Sequence, residues 1–232
     1  VKIEGEVPVM NITFSGDLAA PEQLFVEAAL WGEGLRRNSY LLKSLYVAAS
    51  YRGGILDLKQ LVATDAAGEL HVAGLWDFAA KQGRMQLRSS LDALALARAS
   101  GDFPWLNDLV LYAPPELDLR LEMAAAETLK AQVLGRIDLR KFAYRSIVFE
   151  SASADFSWDG ARWSVRDVEV TRNGQETLTG DAMRLPGDFR AQARSTINPK
   201  ALRTLVSGPV AEALAQFEFA KPPEISLSAR GK

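Results

Sequence analysis

The sequence predicts a mainly β protein with short helices, a tandem repeat of about 107 residues whose curved antiparallel sheets form an elongated β-groove or taco-like array. Three observations support this prediction. Residues 50–77 recur as residues 157–181, apolar and polar residues alternate along most segments, and helix start signals stand only near the end of each copy.

The repeat is clearest at a turn that both copies share. An aromatic residue, Tyr51 or Trp158, stands two positions before a turn glycine, Gly53 or Gly160. Since 160 − 53 = 107, the copies are offset by 107 positions. We therefore expect a first unit over residues 1–112, a second over 113–224, and the truncated start of a further unit over 225–232. We expect the chain to be a segment of a longer repeat array.

The chain opens with strict alternation of apolar and polar residues over positions 1–7, which is typical of a half-buried antiparallel strand. Pro8 ends this strand, and residues 10–17 are expected to be its hairpin partner. Residues 21–37 have a helical composition. At the repeat offset, however, they align with a segment rich in β-branched and aromatic residues, so we predict strands in both copies.

A phase slip occurs at the same place in each copy. Leu58 and Leu61 continue one apolar face with one extra residue between them, and Val165 and Val168 do the same. One added residue that restores the apolar face indicates a β-bulge. Two such bulges predict deliberate sheet curvature.

The next two strands of each copy alternate regularly. The residues predicted to share the apolar face are Leu70, Val72, Gly74 and Trp76, then Met85, Leu87 and Leu91, and in the second copy Phe189, Ala191, Ala193 and Ile197.

Each copy is expected to end in helices. Asp92 opens one helix before Gly101, and Asn198 followed by Pro199 is an N-cap and first-turn pair. A second short helix is predicted over residues 105–111 and over 209–216. A Pro-Pro pair then restarts the strands in each copy.

Composition excludes several classes of function. The charge balance, 27 Lys and Arg against 29 Asp and Glu, supplies no basic field for nucleic acid. The absence of cysteine excludes disulfides and thiolate metal sites. No uncharged run is long enough to span a bilayer.

Enzyme motifs are not recognisable either. The only histidine, His71, alternates with apolar neighbours and is placed on the polar face of its strand. Gly32 and Gly34 lack the third glycine of a nucleotide loop and are interpreted as a turn. We expect no catalytic residues, no cofactor and no metal site.

The apolar face has more strands than the helices can cover. Each copy has roughly ten to fifteen helical residues for about seven strands, at sheet packing distances of about 10 Å. An open apolar trough would suit an acyl chain or another extended apolar ligand. The alternative is a structural or adhesive β-repeat protein with a closed core and no lipid ligand.

The order of aromatic, turn glycine, alternating strand, Gly-Glu-Leu strand and Arg-Ser-Ser-Leu-Asp helix entry resembles the bacterial AsmA-like proteins, of AsmA and TamB type. The resemblance spans essentially the whole chain. It implies a periplasmic β-groove, tethered to the inner membrane through a segment outside this sequence, that conducts phospholipid between the membranes and supports outer-membrane assembly. It implies flanking repeats, a membrane anchor and phospholipid or other acyl chains as partners. The residues expected to line the groove are Leu58, Val72, Trp76, Leu87, Leu119, Trp158, Val165 and Phe189.

Overall fold

The computed structural model describes residues 2–3, 7–17, 19–20, 23–125, 129–205, 208, 212 and 223–231. Within them the chain forms fifteen strands and two short α-helices, so the predicted mainly β class is confirmed. The strands are β1 (Lys2–Ile3), β2 (Val9–Ser15), β3 (Phe25–Arg37), β4 (Tyr40–Arg52), β5 (Ile55–Thr64), β6 (Glu69–Asp77), β7 (Gln82–Ser89), β8 (Leu109–Leu111), β9 (Glu116–Ala125), β10 (Leu129–Tyr144), β11 (Ile147–Trp158), β12 (Trp163–Arg172), β13 (Glu176–Leu185), β14 (Asp188–Ser195) and β15 (Ile225–Gly231). The helices are α1 (Ala93–Ser100) and α2 (Pro199–Leu202).

The chain divides into two compact units. Unit 1 comprises Val1–Asp102 and Pro114–Gly135, and unit 2 comprises Phe103–Ala113 and Arg136–Lys232. In unit 1 the antiparallel strand order is β1-β3-β4-β5-β6-β7-β9, with β2 also paired to β3. In unit 2, which β10 enters at Arg136, the order is β10-β11-β12-β13-β14-β15, with β8 paired to β10. Strands β3 to β7 therefore recur in the same order as β10 to β14.

Both predicted bulges are present. The register between β5 and β6 shifts between Leu58 and Leu61, and the register between β12 and β13 shifts between Val165 and Val168. In unit 2 the bulge contains Asp167 in the left-handed backbone region, with φ 49°. The extra residue keeps the apolar residues before and after the bulge on one face of the strand.

The predicted hairpin at the start of the chain is wrong. β2 pairs with β3, with Ser15 opposite Phe25, and β1 pairs further along the same edge, with Ile3 opposite Leu35. The chain therefore continues past Pro8 along one side of β3 instead of reversing. Pro8 lies against Gly32, where an added Cβ would be 3.2 Å from the proline Cβ.

Three shorter predictions need correction or fall outside the described residues. Residues 105–111 are not a helix: a 3-10 turn over Pro104–Leu106 precedes β8. Gly32 and Gly34 lie inside β3 rather than in a turn, and Gly34 has φ 65°. The helix predicted over 209–216 lies almost entirely outside the described residues.

Both helix starts follow the sequence prediction. The Asp92 carboxylate accepts a hydrogen bond from the Ala95 N–H at 2.9 Å, and Asn198 Oδ1 accepts one from the Lys200 N–H at 3.0 Å. Each side chain thereby satisfies a free N–H in the first turn of its helix. A 3-10 turn over Arg203–Leu205 extends α2.

Candidate functional site

The strand registers of unit 1 arrange apolar residues in rows that run across the sheet. Directly opposed residues share a face, so each row can be followed from strand to strand. Row 1 is Phe14, Val26, Tyr51, Leu56, Trp76, Gly83 and Met123. Row 2 is Ile12, Ala28, Ala49, Leu58, Gly74, Met85 and Leu121. Row 3 is Met10, Leu30, Val47, Leu61, Val72, Leu87 and Leu119. Row 4 is Gly32, Leu45, Ala63, Leu70, Ser89 and Leu117.

The reverse face of the same strands is mixed: it carries charged side chains, and across β2 to β5 it also carries Val9, Trp31, Tyr46 and Val62. Lys59 Nζ reaches Glu27 Oε1 at 2.8 Å, and Arg88 Nε reaches Asp118 Oδ2 at 3.1 Å. His71 is exposed there and lies 3.0 Å from Glu69, as its predicted polar placement requires. Charged residues of unit 1 therefore lie on the reverse face, and rows 1 to 3 on the other face have none.

Rows 1 to 3 of unit 1 contain no buried residue. All of their side chains are half-buried or exposed, and Phe14 and Met10 keep 63% and 59% of their surface accessible. Burial begins only at row 4, where Ala63 is 2% exposed. Apolar side chains on one face of a sheet ordinarily pack against a second layer. Rows 1 to 3 lack such a layer among the described residues.

Helix α1 explains why only row 4 is covered. Its last turn is bound to the β3–β4 turn through Asn38 Nδ2 and the Ala99 carbonyl at 2.7 Å. Its first turn is bound to the end of β5, because the Asp92 N–H donates to Asp65 Oδ2 at 2.8 Å. Eight residues of helix span about 12 Å, whereas seven strands span about 29 Å across the sheet. The helix closes one end of the sheet and leaves the rest open.

A buried carboxylate anchors this closed end. Asp65 is 6% exposed and also accepts hydrogen bonds from the Tyr40 hydroxyl and from the N–H groups of Ala67 and Gly68. Burial alone would raise the pKa of Asp65, but its hydrogen bonds outweigh burial and lower that pKa. Burial and the bond to Asp65 raise the pKa of Tyr40. These hydrogen bonds join the start of β4, the β5–β6 turn and the start of α1.

Unit 2 repeats the arrangement in rows. Row 1 is Trp158, Trp163, Arg184, Phe189 and Gly231. Row 2 is Phe156, Val165, Ala182, Ala191 and Ala229. Row 3 is Val168, Gly180, Ala193 and Leu227. Row 4 is Ala152, Val170, Leu178, Ser195 and Ile225. Rows 1 to 3 are again half-buried or exposed throughout, with Leu227 61% exposed.

The core of unit 2 lies beyond row 4. Phe142, Ile147, Phe149 and Ile197 form a buried cluster, and the rings of Phe142 and Phe149 stack at 5.0 Å. Three residues of row 4 and the α2 segment pack against this cluster; they are Ala152, Val170, Leu178, Ala201, Leu202 and Leu205. The covered end of each unit is thus small, and it is the same end in both.

All eight residues predicted to line a groove lie in these rows. In unit 1, Trp76 lies in row 1 and Leu58 in row 2, and row 3 brings Val72, Leu87 and Leu119 directly opposite one another. In unit 2, Trp158 and Phe189 lie in row 1 and Val165 in row 2.

Sequence reasoning missed the contribution of β2, whose Met10, Ile12 and Phe14 extend rows 1 to 3. It also missed Arg184. Alternation in residues 9–15 signals a strand, but only the pairing with β3 shows which rows it joins.

A cavity of about 640 Å³ lies along β12 to β15 in unit 2. It is lined by row 3 and by the residues on either side of each row 3 member, namely Asp167, Glu169, Thr179, Asp181, Gln192, Arg194, Ser226 and Ser228. None of the eight predicted groove residues lines it.

Among the helices in the described residues, none has the length and apolar character needed to cross a bilayer. Within those same residues, no group of three or more His, Asp or Glu side chains is arranged to hold a metal ion. Comparisons of the chain with protein-family models, with characterised proteins and with solved structures give no match.

Proposed function

We propose that this chain is a segment of a periplasmic AsmA-like protein that shields or conducts phospholipid acyl chains between the inner and outer membranes. The observation that supports this proposal is the set of three apolar rows in each unit that no second layer covers within the described residues. The inner-membrane tether and the flanking repeats belong to the same proposal.

The chemistry of rows 1 to 3 favours an extended apolar ligand. In unit 1 these rows contain only apolar side chains, the Tyr51 hydroxyl and glycine, so they offer hardly any polar group to orient a compact metabolite. Transfer of apolar surface from water contributes about 25 cal/mol per Å² to binding, without directional requirements. A flexible acyl chain can use such a surface.

The exposed rows also favour transport over a purely structural role. A structural or adhesive β-repeat with a closed core needs these rows filled by its own side chains. Contiguous apolar surface of this extent is typical of binding sites. The alternative, a structural or adhesive β-repeat protein, predicts that no lipid binds to these rows.

Site-specific photocrosslinking tests the proposal. A benzoylphenylalanine residue replaces Leu87 in row 3, and a matched variant carries it at the neighbouring Gln86 on the reverse face. Each purified protein is irradiated with vesicles of phosphatidylethanolamine and phosphatidylglycerol, and adducts are weighed by intact mass spectrometry. We expect lipid adducts at position 87 in several-fold excess over position 86. Equal labelling at both positions, or none at either, would contradict an acyl-chain groove.

A further inference from the structure

Row 1 differs between the two units at one position. In unit 1 this row contains no charged residue, and its residue from β6 is Trp76. In unit 2 the corresponding residue is Arg184, which lies directly between Trp163 of β12 and Phe189 of β14. An arginine therefore occupies the apolar face at the open end of unit 2.

Arg184 has no partner among the described residues. Its side chain is exposed, and within that part of the chain it forms neither an ion pair nor a side-chain hydrogen bond. Rows 1 and 2 of unit 2 contain no carboxylate. Asp188, which lies next to Phe189, is on the reverse face and pairs with Arg190 at 2.7 Å and Arg230 at 3.7 Å. The guanidinium is thus a cation with five hydrogen-bond donors that are free to bind an anion.

The strands on either side of Arg184 each carry an aromatic residue directly opposite it. Trp163 and Phe189 lie two strands apart, about 9.5 Å along a flat sheet, yet their ring centroids are 6.2 Å apart. The rings therefore lean toward each other across β13, the strand that carries Arg184. Trp158, opposite Trp163, remains 44% exposed and extends this aromatic border.

The rows next to Arg184 have unusually small side chains. Row 2 of unit 2 contains Ala182, Ala191 and Ala229, and row 3 contains Gly180 and Ala193. The matching positions of row 3 in unit 1 are Val72 and Leu87. An acyl chain lying on the alanines of unit 2 has more room than an acyl chain lying on the larger residues of unit 1.

We propose that the apolar face of unit 2 binds an amphiphile with an anionic headgroup, whose phosphate or other anion pairs with Arg184 while its acyl chain lies along rows 2 and 3. This inference rests on the proposed function, because it assigns the headgroup class at the same apolar surface. Arginine suits the task, since its planar donors match phosphate and carboxylate oxygens in bidentate geometry.

Single-chain detergents of one chain length test the assignment. Dodecyl phosphate, dodecylphosphocholine and dodecyl maltoside are titrated below their micellar concentrations into the full chain, into the Arg184→Gln variant and into the Arg166→Gln variant. Arg166 is the matched control, because it is an exposed arginine of β12 next to row 2 but on the reverse face. Circular dichroism checks that each variant keeps the β-sheet signal of the parent.

We expect the parent and Arg166→Gln to bind dodecyl phosphate about tenfold more tightly than dodecyl maltoside, the equivalent of one charge-assisted hydrogen bond. The Arg184→Gln variant should lose that preference and keep its maltoside affinity. An equal loss in both variants, or no preference in the parent, would overturn the headgroup assignment and leave the groove intact. Failure of all three detergents to bind the parent would overturn the groove and the headgroup assignment together.

Discussion

Asp65 shows how one residue fixes the boundary between the covered and open parts of unit 1. Its two oxygens accept four hydrogen bonds, from Tyr40, Ala67, Gly68 and Asp92, and so connect the β3–β4 region, the β5–β6 turn and the start of α1. Unit 2 solves the same problem with a different residue. There the carboxylate of Glu176 accepts the Asn198 N–H at 3.1 Å, one residue before α2.

Replacing Asp65 by asparagine should therefore destabilise unit 1. In the parent, the Tyr40 hydroxyl and the Asp92 N–H both donate to Asp65 Oδ2. An amide NH₂ in place of that oxygen is itself a donor, so these two donors would lose their acceptor. Leaving a buried donor unsatisfied costs about 1–3 kcal/mol, and we expect a loss of that size in the free energy of unfolding measured with urea. Tyr40→Phe, which removes one donor and keeps the ring, is the matched control and should cost about 1 kcal/mol. Equal stability of parent and Asp65→Asn would contradict this role.

The hydrogen bonds of Asp65 also make the stability of the protein depend on pH. Hydrogen bonds lower the pKa of Asp65 in the folded protein below its unfolded value of about 3.9. The folded state then binds fewer protons than the unfolded state, so the contribution of Asp65 is complete above that pH and is lost as pH falls through the folded pKa. The stability difference between the parent and Asp65→Asn should shrink below about pH 4.

At the scale of elements, the β5 bulge can be tested by changing strand length. Lys59 is the extra residue, because Leu58 pairs with Ala49 while Gln60 pairs with Ala48. Deleting Lys59 leaves Leu58 and Leu61 on one face and removes the bulge together with the exposed ion pair between Lys59 and Glu27. Inserting one alanine after Lys59 instead leaves two extra residues opposite β6. The strand then regains its phase only by a two-residue slip, which brings Leu61 opposite Leu70 in the buried place of Ala63.

The insertion should therefore cost about 1–3 kcal/mol more than the deletion, since forcing a larger side chain into a packed position costs about that much. Urea unfolding of both variants measures the difference. If the deletion lowered the free energy of unfolding more than the insertion did, the bulge itself would contribute more to stability than the strand register does.

Strands and helices were predictable from the sequence where the signal was local or occurred in both copies of the repeat. The bulges follow from phase slips at Leu58 and Val165, and the helix starts follow from Asp92 and Asn198. β8 was mistaken for a helix because three residues carry no periodicity, and its strand conformation comes from pairing with Phe142 to Tyr144, more than thirty residues away. The partner of β2 was missed for the same reason, because it depends on how Pro8 packs against Gly32.

At the scale of the molecule, the repeat made the candidate surface partly predictable. Alternation alone identifies which residues share a face, and all eight predicted residues lie in the apolar rows. Whether those rows are covered depends on where the helices dock, which is set by Asp65 in one unit and Glu176 in the other. The position of Arg184 on the apolar face could not be predicted from the sequence. Only the strand register shows that it lies between Trp163 and Phe189.

Because rows 1 to 3 of each unit have no covering layer in the part of the chain that the structure describes, the native protein should bind a neutral apolar dye without unfolding. We expect Nile red fluorescence to rise on binding while the near-ultraviolet circular dichroism of the tryptophans stays native. Leu58→Arg in unit 1 and Val165→Arg in unit 2 each place a charge in row 2, and each should remove part of the signal. The rows of the two units share no residue, so the two losses should add in the double variant. Gln86→Arg adds the same charge on the polar face and should leave the signal unchanged. Dye binding only at denaturing urea concentrations would instead indicate that the apolar rows are covered in the native protein.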